Sequence, residues 1–157
     1  MLAAYVLAAA TGGHTPAPRP RTATTIVRAE AAGGTPQTAQ AYAAPAARRY
    51  LTEFPQLLAV RVTGLRARGE TRKVRFTCVT QGCALAPADQ PDGVDRAKDG
   101  RGHDSPAAYD VNIDKGRAAV RVIVSSERAV GTYIISAVPA VEKGERAVPA
   151  TFILNTR

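Results

Sequence analysis

The chain has 157 residues, 21 Lys and Arg against 13 Asp and Glu, and a formal net charge of +8. That length suits one domain with a real core, but with no Trp, 3 Phe and 5 Tyr the core must be built mainly from Val, Ile, Leu and Ala. The sequence contains no phosphate-cradling Gly-rich loop and no dinucleotide fingerprint, so neither composition nor motif points to a nucleotide cofactor.

Leu2 to Ala10 (LAAYVLAAA) has the length of a signal-peptide core, and the small residues at its end would allow cleavage after Ala10, although no positive residue precedes it. The alternative is a helical or disordered N-terminal extension. Spanning a bilayer takes ~20 apolar residues, so no membrane span is expected here. No Cys follows the run to carry a lipid anchor. Residues 11–23 are rich in Gly, Pro and Thr and read as a disordered linker. His14 within it has no Cys, Asp or second His nearby, which leaves it without a metal role.

Thr24 to Glu30 (TTIVRAE) reads as a short strand at a sheet edge, and Gly33-Gly34-Thr35-Pro36 as a turn. Ala39 to Phe54 is Ala-rich and reads either as a helical turn or as an extended crossover between sheets. In Leu57 to Thr63 the alternation places Leu58, Val60 and Val62 on a core face and Arg61 toward solvent. Val74 to Thr80 repeats the pattern, with Val74, Phe76 and Cys78 on one face and Arg75, Thr77 and Val79 on the other. One apolar and one polar face per strand calls for two sheets stacked face to face.

Cys78 and Cys83 are the only cysteines, and an exported chain would join them in a local disulfide, worth about 2 kcal/mol for so short a loop. Free thiols are the alternative; the pair cannot by itself supply four zinc ligands, and a redox pair would be C-x-x-C. Ala86 to Pro106 is the longest polar segment, of the length expected for a functional or disordered loop. Its acids (Asp89, Asp92, Asp95, Asp99 and Asp104) fail the EF-hand spacing, and Arg96, Lys98 and Arg101 neutralise them, so no metal is assigned. If one loop binds a partner, it is this one, through Asp92, Asp95, Arg96, Asp99, Arg101 and His103. Tyr109 to Ile113 is a short strand and Asp114-Lys115-Gly116 a turn. Three further strand patterns follow, from Ala119, from Gly131 and from Ala150 to Asn155, with Lys143 to Arg146 as the last turn. Strands so close together are expected to form an antiparallel meander.

Taken in order, Gly34-Thr35-Pro36-Gln37, LLAVRVT at Leu57, VRFT at Val74, GTYIISA at Gly131 and ATFILNT at Ala150 resemble the bacterial immunoglobulin-like domain of the invasin and intimin type. The resemblance runs from about Thr24 to the C-terminus. It departs from the family at Gly64 to Glu70, which replaces a D-x-x-G-N-P turn, at Lys115-Gly116, which replaces DG, and at the two cysteines. It implies an all-β, Ig-like antiparallel β-sandwich of about seven strands over residues 24–157, behind a disordered N-terminal tail. It also implies that Tyr133, at the start of the sixth strand, serves as a structural tyrosine corner.

The expected function is that of a non-catalytic secreted or cell-surface module, a spacer or adhesion unit whose partner is a protein or glycan. With two His in Gly/Pro-rich loops and no G-x-S-x-G, a Ser-His-Asp arrangement has no support. The alternative is a basic β-domain that binds nucleic acid or an acidic glycan through scattered Arg. Missing aromatic interleaving counts against nucleic acid. A small enzyme inhibitor presenting the 86–106 loop is a third reading.

Overall fold

The structure, a computed structural model, describes Gly13 and residues 23–66, 72–89 and 107–157. Within them the chain makes twelve strands and one 3₁₀ turn. In order these are β1 (Thr25–Gly33), β2 (Gln37–Ala39), β3 (Tyr42–Ala44), the turn (Pro45–Ala47), β4 (Arg49–Glu53), β5 (Leu58–Thr63), β6 (Lys73–Cys78), β7 (Cys83–Pro87), β8 (Ala108–Asn112), β9 (Arg117–Ser126), β10 (Gly131–Pro139), β11 (Glu145–Val148) and β12 (Ala150–Thr156).

They form an all-β sandwich of two sheets. In the seven-stranded sheet β9 is central: β5 and then β4 run along one of its edges and β7 along the other, β1 and β11 lie outside β5, and β3 lies outside β4. The five-stranded sheet has the order β2-β12-β10-β6-β8. Alternation decides which side of each strand turns inward. β5 buries Leu58, Val60 and Val62, β10 buries Tyr133, Ile135 and Ala137, and β12 buries Ala150, Phe152 and Leu154. Phe54, Phe76 and Phe152 are the largest fully buried side chains, and the rings of Phe76 and Phe152 meet at 6.2 Å between centroids. Burying a side chain of this kind contributes about 1.5–3 kcal/mol relative to leaving it in water.

The motif Gly34 to Gln37 carries the chain from one sheet to the other. Gly34 has a φ of 79°, and a Cβ there would run into the carbonyl oxygen of Leu57, so only glycine fits. The peptide between Thr35 and Pro36 is cis. Thr35 Oγ1 accepts the Ile153 N–H at 2.9 Å, and Gln37 Nε2 donates to the carbonyls of Gly34 at 2.9 Å and Gln56 at 3.0 Å. Each polar residue of the crossover thus ties the chain to its flanks.

Several expectations need correction. The strands number twelve rather than about seven, and the sheets are mixed, because β1 pairs with β11 and β2 with β12 in parallel. β1 is consequently not an edge strand. The C-terminal stretch is not a single meander: β9 already has partners on both edges, so β10 crosses to the other sheet, where it pairs with β12 and β6. Glu145 and Arg146, read as turn, begin β11, which leaves the five-stranded sheet to pair with β1 before Pro149. Ala86 and Pro87, read as the start of a loop, belong to β7, whose Leu85 is buried against the core. Ala39 to Phe54 is mostly extended, with the 3₁₀ turn at its middle. The proposed signal core (1–10), most of the linker (11–23) and most of the 86–106 loop lie outside the described residues.

β6 is fastened to the opposite sheet at both ends. At its C-terminal end Cys78 is joined by a disulfide to Cys83, the first residue of β7. At its N-terminal end Arg72, only 8 % exposed, donates from Nη1 to Glu145 Oε2 at 2.7 Å and lies 3.2 Å from Glu142 Oε1. Glu142 N–H donates to the same Glu145 oxygen at 3.0 Å.

The hydrogen bond from Arg72, and after it the one from the Glu142 backbone, hold the Glu145 carboxyl below the ordinary glutamate value against the opposing effect of burial. A carboxyl whose folded pKa is depressed stabilises the fold above its unfolded pKa, and that stability is lost as pH falls through the folded value. Urea titrations of the wild type and of Glu145→Gln should therefore show the wild type more stable near neutrality. The gap should close as pH drops below about 4; a gap that stays constant with pH contradicts the assignment.

Candidate functional site

The two outward faces of the sandwich differ in chemistry. On the five-stranded sheet, Val79, Ile134 and Ile153 form an exposed apolar row: Ile134 stands opposite Ile153, and Val79 N–H donates to the Ile134 carbonyl at 2.9 Å. Thr77, Ser136 and Thr151 line up beside it, and Thr132 Oγ1 donates to Asn155 Oδ1 at 2.9 Å. The described charges here are Lys73 and the exposed Arg75–Asp110 pair at 3.6 Å.

The seven-stranded sheet presents arginines instead. Because Val27 and Ala29 of β1 point inward, Ile26, Arg28 and Glu30 point out; by the same parity Arg61 of β5 and Arg117, Ala119 and Arg121 of β9 point out. Register places these side chains together. Arg61 stands directly opposite Arg117 on one side and Glu30 on the other, Arg28 is opposite Thr63, and Arg146 of β11 is opposite Ile26. Directly opposed residues are about 4.5–5.5 Å apart at Cβ and diagonal ones about 7–8 Å, so Arg28, Arg61 and Arg117 form one cluster. Beside it Ala59 opposes Ala119, a floor too small to obstruct a ligand.

Among the described residues the counter-charges are few. Glu30 reaches Arg61 only at 4.0 Å, with the Arg61 side chain 63 % exposed; exposed pairs of this kind are worth roughly 0–1 kcal/mol. Arg121 belongs to a different environment. It is half-buried, its Nη1 lies 3.1 Å from Glu53 Oε1, and among the described residues its Nε has no hydrogen-bond partner. Arg28, Arg117 and Arg146 are exposed; among the described residues no ion pair engages them, and Asp114 stands opposite Arg117 in the turn before β9.

Of the residues singled out from the sequence, those that the structure describes fall elsewhere. Cys78 and Cys83 are joined as expected. Tyr133 is buried at the start of β10, with its ring folded against Gly131 and close to Gly82 of the disulfide loop; a Cβ on Gly131 would lie 3.1 Å from the hydroxyl. Asp92, Asp95, Arg96, Asp99, Arg101 and His103 lie outside the described residues, between β7 and β8. No three His, Cys, Asp or Glu side chains converge on a metal-binding geometry among the described residues, and none of the described helices is long and apolar enough to cross a membrane. The arginine cluster was partly legible: alternation alone turned Arg61 outward. What the sequence lacked was the register that sets Arg117 opposite it.

No family model, no curated protein and no solved structure matches the chain.

Like charges directly opposite across a sheet are destabilising, and opposite charges contribute roughly 0.2–1 kcal/mol. In a D114N background, which removes the carboxylate that stands opposite position 117 across the turn before β9, Arg117→Glu places a carboxylate opposite Arg61 and should therefore raise the unfolding free energy by up to about 1 kcal/mol, measured in urea at low salt. A loss of stability would mean that the two guanidinium groups do not face each other.

Proposed function

We propose that the chain is a non-catalytic, extracytoplasmic immunoglobulin-like module of the invasin and intimin type, working as an adhesion unit or spacer. The observation that carries this reading is the strand order. The path β1-β5-β9-β7 in one sheet and β12-β10-β6 in the other follows the A-B-E-D and G-F-C order of an Ig constant-type sandwich. On that correspondence β4 is the first half of a broken second strand, since β4 and β5 line the same edge of β9. β2, β3, β8 and β11 are additions. The quoted motifs also fall where the family has its strands: VRFT lies in β6, GTYIISA in β10 and ATFILNT in β12. One departure is that β8 returns to the five-stranded sheet after β7 has joined the other.

Location and lack of catalysis rest on chemistry. A disulfide between the only two cysteines persists in an oxidising compartment and is rare in the cytosol. The strand serines are used structurally or are partly covered: Ser126 Oγ accepts the Arg128 N–H at 3.1 Å, and Ser125 and Ser136 are half-buried within β9 and β10.

The test is to recover the protein from fractions of its native host and alkylate it before and after reduction. The reading expects it in an extracytoplasmic fraction, with Cys78 and Cys83 unreactive until reduced. Cytosolic protein carrying two reactive thiols contradicts it.

A further inference from the structure

We propose that the outward face of the seven-stranded sheet, centred on Arg28, Arg61 and Arg117, is a binding surface for an acidic polysaccharide. The proposal names a partner class for the adhesion reading and rests on that reading for its location outside the cytosol.

Several features point the same way. Arg61 and Arg117 are set opposite each other in the β5–β9 ladder, with the exposed carboxylates of Glu30 and Asp114 on their far sides, and a further anion between or above the two guanidinium groups would relieve their mutual repulsion. Each guanidinium presents a planar fork of donors matched to the two oxygens of a carboxylate or sulfate group. Arg28, diagonal to Arg61, and Arg146, on the next strand, extend the positive charge across β11, β1, β5 and β9. The cations therefore form a band that runs diagonally over β11, β1, β5 and β9, with Glu30 at its side and the small residues Ala59 and Ala119 beside Arg61 and Arg117. Such a band complements a linear chain bearing repeated negative groups better than it complements one small anion.

The same face disfavours nucleic acid. Single strands are held by stacking bases on exposed rings, and among the described residues the one aromatic ring with large exposure is Tyr42. It lies on β3, opposite Leu51 of β4, away from the arginine band. A polysaccharide with repeated acidic groups needs no such ring.

The experiment uses the full chain and titrates it calorimetrically with heparin, as the sulfated polysaccharide probe, and with oligo-thymidylate of similar charge. The proposal expects heparin binding at about 50 mM salt that weakens steeply toward about 200 mM, because neutralising several anionic groups releases their counterions. It expects weaker binding of the oligonucleotide. The variant R28Q/R61Q/R117Q should lose affinity for heparin by about tenfold or more. The control K73Q/R128Q/K143Q removes the same three charges from exposed positions off this band, and should stay within about twofold of the parent. Circular dichroism melting of both variants confirms that each is folded.

Absence of heparin binding, equal losses in the two variants, or preference for the oligonucleotide would each overturn the assignment. Failure of heparin binding in a protein whose cysteines are oxidised outside the cytosol removes the glycan partner alone. A cytosolic protein with free thiols removes the adhesion reading, and this partner with it.

Discussion

The guanidinium group of Arg72 stands at the start of β6, in one sheet, and meets the carboxylate of Glu145 at the start of β11, in the other; the Glu145 side chain is only 3 % exposed. Six residues further on, Cys78 is bonded to Cys83 of β7, again across the sandwich. Between these two fastenings lies Phe76, fully buried against Phe152. The register of the five-stranded sheet follows from that strand, because β6 pairs with β8 on one edge and β10 on the other. A buried ion pair is weak grounds for net stability, since desolvation opposes its Coulombic gain. Its consequence here is positional: only one alignment of β11 brings a carboxylate to Arg72.

A core with three phenylalanines and no tryptophan obtains its apolar area from many β-branched and small side chains. This has a cost in specificity, because Val and Ala fit many positions. The fold compensates with fixed points: the glycine-led crossover at Gly34, the Gln37 side chain gripping both flanks, the disulfide and the Arg72–Glu145 pair. With these in place the outward faces are free to diverge. One carries hydroxyls and aliphatic groups, the other arginines.

Much of the sandwich was legible from alternation alone. Leu58, Val60 and Val62 against Arg61, and Val74 and Phe76 against Arg75, gave the correct inner and outer sides before any partner strand was known. The pairing of Cys78 with Cys83 followed from their number. Partner choice was not legible. Strands close in sequence are ordinarily hairpins, but β9 is saturated on both edges, which sends β10 to the other sheet. β11 hid because Lys143-Gly144 is a strong turn signal and the strand after it is only four residues long. Of the arginine band only the outward turn of Arg61 was legible, for the same reason as with the topology: Arg28, Arg61 and Arg117 are far apart in sequence, and only register gathers them. Length and polarity point to the 86–106 loop, most of which lies outside the described residues; within them the most concentrated surface charge lies on regular strands.

The strand-borne arginines of β1, β5 and β9 are the surface proposed to bind an acidic polysaccharide. The most direct measurement is a backbone-amide and arginine-side-chain NMR titration of the ¹⁵N-labelled full chain with a heparin oligosaccharide. The resonances that move should cluster at Arg28, Arg61, Arg117 and their neighbours in β1, β5 and β9, while those of β6, β10 and β12 stay in place. Shifts concentrated on the Val79, Ile134 and Ile153 row, or in residues 90–106, would contradict it.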